Sequence, residues 1–370
     1  LIDTDYLHTL EKQIEQQLDI IEHEIHSIVG FPLNILSDEQ LSTILYIKLQ
    51  LPILKTTPPS KSFPSGQPST DEETLKQLDH PLAKLILKYR KLHKIKNTYV
   101  LPLLKVDMNN RIHPSWNPLG TITGRSSSQG PNFQNLPNHK IIKRGIICAE
   151  SLTESDYSQI EYRLSACVSQ ETSIINEYKN NPRSDYHNLT ASRLLSIPLS
   201  QITAQQRRMG KALNFGIIYG EGPPKLSKQL NCSELEAKQK IDDYFSRLPL
   251  LKKSISLYKK AKYEDGYIIT MFGRIIQVKN TKDHAVFNTM IQGSAADVLK
   301  LGLIKVDKYF NSNLETINSI HDSSYEENLP EEAIPEYIKN IEDFDLPVPI
   351  KVDVKRSTRS WADMEEVLIV

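Results

Sequence analysis

Apolar residues recur every three or four positions through most of the first hundred residues. This spacing predicts two helices within residues 1–50, separated by a break at the Gly-Phe-Pro sequence of residues 30–32. The helical pattern resumes at residues 75–100. Residues 56–73 are rich in Pro, Ser and Thr and nearly free of aliphatic side chains, so we expect a mobile loop there. The N-terminal part is predicted to be a helical lobe with a flexible tip.

The pattern changes after about residue 111. Short strands and turns are predicted there, residues 186–262 are mostly helical in pattern, and the last hundred residues mix helix and strand. The 370 residues, 39% of them hydrophobic, are enough for two or three lobes.

Composition narrows the class of protein. No run approaches the roughly 20 apolar residues that span a membrane, and the three cysteines lack the spacing of a zinc site or a disulfide framework. We therefore expect a protein of the cell interior with reduced thiols. Basic and acidic residues balance at 45 each, but the basic ones cluster, as at residues 88–96 and 207–211. Such clusters are typical either of nucleic-acid binding or of solvated helix faces.

A segment at residues 153–167 is expected to begin as a strand after the sequence IICAE at residues 146–150 and then to become helical, with Asp156 at the end of the strand. An aspartate there commonly caps a helix. Glu161 and Arg163 follow in the first helical turns, and so many polar groups beside an apolar strand are costly unless a site uses them. We expect the Asp156 carboxylate to belong to a site.

A second segment, residues 205–222, places two cations and two aromatic rings at intervals of four residues, on one helix face: Arg207, Lys211, Phe215 and Tyr219. Charged donors bind phosphate oxygens and rings stack on bases, so this face suits a nucleoside triphosphate. The alternative is an ordinary amphipathic helix with exposed cations and buried rings.

A third segment, residues 315–328, predicts strand, tight turn and strand, with His321 and Asp322 at the turn. A His-Asp pair in a hairpin is usually turn chemistry. Here Asp322 also supplies a second carboxylate far from Asp156 in the chain. Carboxylates that converge from separate elements hold two hard cations such as Mg²⁺, which activate an attacking hydroxyl and neutralise a leaving pyrophosphate.

These segments resemble the motifs of family A DNA polymerases, which include bacterial DNA polymerase I and phage enzymes. Residues 156–163 resemble the family's motif A, residues 207–220 its motif B, and His321-Asp322 its motif C. TGRSSSQGPNFQNLP at residues 123–137 and FNTMIQGSAADVLK at residues 287–300 resemble two more family segments. The similarity covers essentially the whole chain, in the family's order.

The resemblance implies an α+β, right-hand polymerase fold with an antiparallel-sheet palm and helical thumb and fingers. It divides the chain into a thumb (residues 1–105, mobile tip 56–73), a palm (106–180 and 285–370) and fingers (181–284). It also implies DNA-directed synthesis of DNA from dNTPs on a primer-template, with two Mg²⁺ ions for which Mn²⁺ substitutes. We expect an intracellular monomer without a proofreading exonuclease in this chain, and we expect the chain to be a piece of a longer protein.

The resemblance implies a role for each matching residue. The expected metal ligands are Asp156 and Asp322, and Lys211 is expected to join them in catalysis. The expected nucleotide-binding residues are Arg207, Lys211, Phe215, Tyr219, His187, Gln159 and Glu161. The expected DNA-binding residues are Arg125, Asn288, Gln292, His321, Asn132 and Gln134. With Tyr219, Glu161 is expected to leave no room for a ribose 2′-hydroxyl.

One position departs from the family pattern. The family's motif C continues with a glutamate, and Ser323 stands there in this chain. We expect the two aspartates to suffice, with slower or more metal-sensitive catalysis. Two alternatives stay open. One is a catalytically silent polymerase fold that binds primer-template DNA, and the other is a single-subunit RNA polymerase, against which Glu161 and the TGR segment speak.

Overall fold

The computed structural model describes residues 1–367. By internal contacts it forms two compact units, one of Leu1–His113 with Leu136–Ile147 and one of Pro114–Asn135 with the chain from Cys148 onward. The division into thumb, palm and fingers, with a mobile tip, stays a prediction.

The first unit is built from helices. They are α1 (Thr4–Val29), α2 (Asp38–Ser42), α3 (Glu72–Gln77), α4 (Pro81–Lys94), α5 (Leu101–Leu103) and α6 (Lys140–Lys143), with π-helical stretches at Thr43–Lys48 and Ile95–Val100. The predicted break after the first helix is confirmed. Gly30 ends α1 in the left-handed region, at φ 86°, and its N–H donates to the carbonyl of His26.

The helical pattern of residues 75–100 is divided between α3 and α4, which differs from the uninterrupted pattern that the sequence indicates. Pro81 suits the first position of a helix because it has no N–H to satisfy, and it disfavours helical backbone in the residue before it. His80 takes extended backbone there, and its Nδ1 accepts a hydrogen bond from the Leu82 N–H (3.1 Å). Pro81 therefore both begins α4 and separates it from α3.

The second unit contains all nine strands of the described residues. Its strands are β1 (Ser115–Asn117), β2 (Ser127–Gln129), β3 (Leu152–Tyr157), β4 (Tyr267–Ile269), β5 (Ile275–Gln277), β6 (Glu315–Ile320), β7 (Ser323–Glu327), β8 (Val352–Ser357) and β9 (Glu365–Glu366). Its helices are α7 (Ile160–Ser169), α8 (Thr172–Asn180), α9 (Tyr186–Leu195), α10 (Ala204–Ile218), α11 (Pro223–Leu230), α12 (Glu234–Arg247), α13 (Pro249–Glu264), α14 (Val286–Tyr309) and α15 (Ile334–Ile341). This mixture is the predicted α+β class.

A five-stranded antiparallel sheet lies at the centre of the second unit, in the order β6-β7-β3-β8-β9. The central strand β3 begins at Leu152, later than the sequence IICAE at residues 146–150 suggests. Asp156 in β3 is paired with Ser323 of β7 on one side and with Asp353 of β8 on the other. The sheet register therefore decides which side chains surround Asp156.

Helix α14 packs on this unit's core, and most of its residues are buried. Its Gly302 allows a close approach, because a Cβ at that position would lie 2.3 Å from the hydroxyl of Tyr157 in β3. Helix α7 is anchored by the fully buried Arg163, which donates to the carbonyls of Ser158, Pro349 and Pro182 at 2.7–2.8 Å. Satisfied donors make burial of this cation tolerable.

Among the described residues, no helix is long and apolar enough to cross a membrane. Within residues 1–367, the three cysteines are free.

Candidate active site

A cleft of about 490 Å³ opens in the second unit beside the ends of β3 and β7. Most of the predicted site residues line it. They are Arg125, Asp156, Gln159, Glu161, His187, Arg207, Lys211, Phe215, Tyr219, His321 and Asp322. Residues separated by almost two hundred positions in the sequence thus meet at one surface.

The two predicted metal ligands come together through a hairpin turn. His321 takes a positive φ of 56° in the tight turn between β6 and β7, which is the predicted strand-turn-strand. The carbonyl of the next residue, Asp322, accepts a hydrogen bond from the Tyr157 N–H (3.2 Å), which holds the turn against the end of β3. Asp156 and Asp322 therefore face one cleft.

Burial raises the pKa of Asp322 to about 7, and the negative charges of Asp156 and Glu161 act in the same direction, while Arg125 opposes them. The raised pKa means that the ionised carboxylate is unfavourable in these surroundings until a positive charge is added. The oxygen donors fit Mg²⁺, which prefers carboxylates, water and phosphate oxygens.

Ser323 lies where the family pattern has a glutamate. Its hydroxyl donates a hydrogen bond to Oδ1 of Asp156 at 2.5 Å. A hydroxyl orients the carboxylate but adds no negative charge. Within residues 1–367, no group of three or more His, Cys, Asp and Glu side chains is close enough to hold a metal ion. The predicted metal ligands in this cleft are Asp156 and Asp322.

Helix α10 forms the opposite wall of the cleft. Thr203 and Gln206 form a capping box that fixes the start of this helix. Its predicted face, with Arg207, Lys211 and Phe215, lines the cleft, and the Lys211 ammonium lies 5.4 Å from the centre of the Phe215 ring. This wall offers cations for phosphate oxygens and a ring for a sugar or base.

Helix α9 packs closely against α10. Gly210 makes this possible, because a Cβ there would lie 2.2 Å from the carbonyl oxygen of His187. Asp185 caps α9 by accepting from the His187 N–H (3.0 Å), and its other oxygen accepts from Nε of Arg207. The His187 ring lies 5.6 Å from that of Phe215. One aspartate therefore links both helices at the edge of the cleft.

Glu161 is buried in the floor of the cleft, with 6% of its surface exposed. Its carboxylate accepts from Nη2 of Arg125 (2.7 Å) and from the hydroxyl of Tyr219 (3.0 Å). Burial and the charge of Glu161 raise the pKa of Tyr219, and Gln292 also hydrogen-bonds to that side chain. These contacts hold the acidic side chain in a fixed position.

Gln159 joins β3 to α7 and α9. Its Oε1 accepts from the Tyr186 N–H (3.1 Å) and the Tyr178 hydroxyl (3.2 Å), and its Nε2 donates to the carbonyl of Ser184 (3.2 Å). The side chain is thus committed to protein contacts while it lines the cleft.

Four predicted DNA-binding residues lie outside the cleft lining: Asn132, Gln134, Asn288 and Gln292. Oδ1 of Asn132 accepts from the N–H groups of Gln134 (3.0 Å) and Asn135 (3.2 Å), which fixes a tight turn. Nε2 of Gln134 donates to the Ser126 hydroxyl (2.9 Å). The buried Oδ1 of Asn288 has no hydrogen-bond partner in the described residues. Contact of these side chains with DNA stays a prediction.

Two acidic residues were missed by the reasoning from sequence. Asp353 lines the cleft beside Asp156 and forms an ion pair with Arg183 (3.2 Å), and Asp185 binds Arg207. The alternation Val352-Asp353-Val354 indicates one polar side chain on a strand, but only strand pairing places it next to Asp156. The position of Asp185 before a helix predicts that it caps the helix, but it does not predict the ion pair with Arg207.

Carboxylates at the centre of an antiparallel sheet, facing a helix with cations and an aromatic ring, are typical of nucleotide-polymerising enzymes. The chain belongs to DNA polymerase family A, because the model of that family matches residues 4–363. It is 34% identical to DNA polymerase I of Caldicellulosiruptor bescii, over 96% of this chain and 44% of that protein. DNA polymerase I of Helicobacter pylori is 35% identical, over 98% of this chain and 42% of that protein.

The thermostable DNA polymerase I of Thermus aquaticus is 31% identical, over 95% of this chain and 45% of that protein. The chain therefore spans less than half the length of these relatives. Among solved structures, the POL domain of Pol1 from M. smegmatis, in complex with DNA primer-template and dNTP, has a TM-score of 0.85 and 29% identity. The match covers 98% of this chain and 67% of that one. The predicted α+β fold of the right-hand polymerases is confirmed.

Proposed function

We propose that this chain is a DNA-directed DNA polymerase that adds dNTPs to a primer 3′ end by two-metal-ion nucleotidyl transfer. One observation carries the proposal. Asp156 and Asp322 at the ends of two strands share a single cleft with Arg207 and Lys211 of α10. Membership of DNA polymerase family A supports it, as does the similarity to a polymerase domain solved with primer-template DNA and dNTP.

In this proposal Asp156 and Asp322 hold two Mg²⁺ ions, for which Mn²⁺ substitutes. The ions, when bound, lower the pKa of the primer 3′-hydroxyl and neutralise charge on the leaving pyrophosphate. Arg207 and Lys211 bind triphosphate oxygens, and Lys211 stabilises negative charge that develops as pyrophosphate leaves. Phe215 packs against the sugar and base of the dNTP.

The choice of deoxyribose is assigned to Glu161. Its carboxylate is held by Arg125 and by Tyr219, so it cannot turn away from an added 2′-hydroxyl without breaking two hydrogen bonds. A fixed obstacle that only the wrong substrate meets gives selectivity without added affinity for the right one.

Primer-template DNA is the proposed partner. We assign contacts with it to Arg125, Asn288, Gln292, His321, Asn132 and Gln134. Side-chain donors that read minor-groove acceptors, which all base pairs share, recognise correct geometry without reading sequence. We propose that the protein acts as a monomer inside a cell.

Primer extension tests the proposal. The purified chain with Mg²⁺ is expected to extend a primer with dNTPs. The Asp156→Ala variant is expected to extend it roughly a thousandfold more slowly or worse, because charge stabilisation by metal ions is worth several kcal/mol. Asp242→Ala, at an exposed position on α12, is the matched control and should keep full activity.

Ser323 favours one second candidate, a silent polymerase fold that binds DNA. If the wild-type chain binds primer-template but extends nothing with Mg²⁺ or Mn²⁺, the silent fold is correct. Extension that prefers rNTPs to dNTPs would instead indicate an RNA polymerase.

A further inference from the structure

Asn214 lies on the buried side of α10, with none of its surface exposed. Its side chain has three neighbours from two other helices. Oδ1 accepts from the hydroxyls of Thr190 in α9 and Tyr244 in α12, both at 3.0 Å. Nδ2 lies 2.9 Å from Nδ1 of His187, also in α9. Both the oxygen and the nitrogen of the carboxamide are therefore hydrogen-bonded in the protein interior.

The amide of Asn214 is oriented with Oδ1 towards the two hydroxyls, which donate to it, and with its NH₂ group towards the imidazole of His187. An N–H that points at Nδ1 requires an unprotonated Nδ1. A neutral imidazole with Nδ1 as acceptor carries its proton on Nε2.

We propose that Asn214 is a positioning residue that holds His187 as the neutral Nε2–H tautomer, so that the ring donates a hydrogen bond to a triphosphate oxygen in the cleft. This inference rests on the proposed function for the identity of the ligand. Without Asn214, a neutral His187 can also place its proton on Nδ1. The Nε2 lone pair would then face phosphate oxygens, which are acceptors as well.

The charges around His187 explain why its tautomer matters. The pKa of His187 is lowered to about 4, chiefly by burial; Asp185 opposes this shift, and the charges of Arg207 and Lys211 in α10 act with burial. The ring therefore stays neutral at physiological pH. A neutral imidazole has one N–H, so the nitrogen that carries it decides whether His187 attracts or repels a phosphate oxygen.

The first test leaves the contact between Asn214 and His187 intact. The ¹⁵N shifts of His187, assigned by their absence in His187→Gln, report which ring nitrogen is protonated in the free protein. We expect a protonated Nε2 and an unprotonated Nδ1. A protonated Nδ1 in the wild type would mean that the Asn214 amide is reversed, and it would overturn the proposal even if the protein is an active polymerase.

The second test replaces the donor with an acceptor of the same shape. Asn214→Asp is expected to move the proton of His187 to Nδ1 and to raise KM for dNTP roughly tenfold, the scale of one hydrogen bond to a charged group, with a smaller change in kcat. Kinetics at pH 8.5, well above the ordinary His pKa of about 6.5, keep the ring neutral in the variant.

Two controls separate positioning from structural damage. Tyr244→Phe removes the hydrogen bonds of this hydroxyl to Oδ1 of Asn214 and to Tyr162 but leaves the contact of Asn214 with His187, so KM should stay within about twofold of the wild type. In a His187→Ala background, Asn214→Asp should have no further effect on KM, because the two residues act as one unit. A full effect of Asn214→Asp in that background would refute positioning through His187. If no variant or wild type extends a primer, the proposed function fails, and the ¹⁵N shifts still decide the tautomer.

Discussion

Glu326→Gln is expected to stabilise the protein increasingly as the pH rises. Glu326 lies in β7 with none of its surface exposed, on the side of the sheet that faces Tyr337. Burial raises its pKa from 4.5 to about 8, against the opposing effect of hydroxyls from Tyr337, Ser324 and Thr316. The carboxyl group is therefore protonated in the native state at neutral pH, when the unfolded chain has already ionised it.

The sign of the effect follows from proton binding. Between pH 4.5 and 8 the native state holds a proton at Glu326 that the unfolded state has lost, so the free energy of unfolding falls as the pH rises. Each pKa unit is worth about 1.4 kcal/mol. The contribution of Glu326 to the free energy of unfolding of the wild type is therefore expected to fall by about 3 kcal/mol by pH 7 and by about 5 kcal/mol above pH 8, relative to strongly acidic conditions. A glutamine keeps the shape and does not ionise.

Urea titrations between pH 5 and 9 measure this difference. The free energy of unfolding of Glu326→Gln minus that of the wild type should increase by about 1.4 kcal/mol per pH unit up to pH 8 and then level off. Glu315→Gln, an exposed residue in the neighbouring strand β6, is the matched control and should show no such slope. Parallel curves for Glu326→Gln and the wild type would show that Glu326 is ionised in the folded protein.

Three more predictions concern the cleft. Ser323→Glu should lower the Mg²⁺ concentration that gives half-maximal primer extension and should raise the extension rate, because it adds a carboxylate beside Asp156. An unchanged Mg²⁺ titration would show that two aspartates suffice. Glu161→Ala should increase rNTP incorporation relative to dNTP by roughly tenfold or more, measured by single-nucleotide extension, and unchanged selectivity would contradict its assigned role. Gly210→Ala should lower the free energy of unfolding, measured by urea titration, by about 1–3 kcal/mol, because the new Cβ meets backbone atoms of α9. An unchanged free energy of unfolding would contradict the close packing of α9 and α10.

Local patterns in the sequence were enough to predict several elements of the site. The interval of four residues from Arg207 to Tyr219 places four side chains on one helix face whatever surrounds the helix. The turn at His321 and Asp322 follows from two short strands on either side of it. The break after α1 follows from Gly30, which takes a backbone conformation that other residues avoid.

Such local patterns do not predict contacts between distant segments of the chain. Asp353 lies beside Asp156 only because β8 pairs with β3 in one register, and a shift of one residue would turn Asp353 to the other face. The two hydrogen bonds that fix Glu161 come from Arg125 and Tyr219, which no spacing rule relates to it.

By itself, the sequence determined which regions are helical or mixed, the family, and the residue types that carry phosphate and metal chemistry, because these depend on local periodicity and on motifs of a few residues. Tertiary structure alone decided how those residues act together. It raised the pKa of Asp322, gave Asp156 a hydroxyl partner in Ser323, and buried Asn214 against His187. Burial, strand register and helix packing set these properties, and each arises from residues that are far apart in the chain.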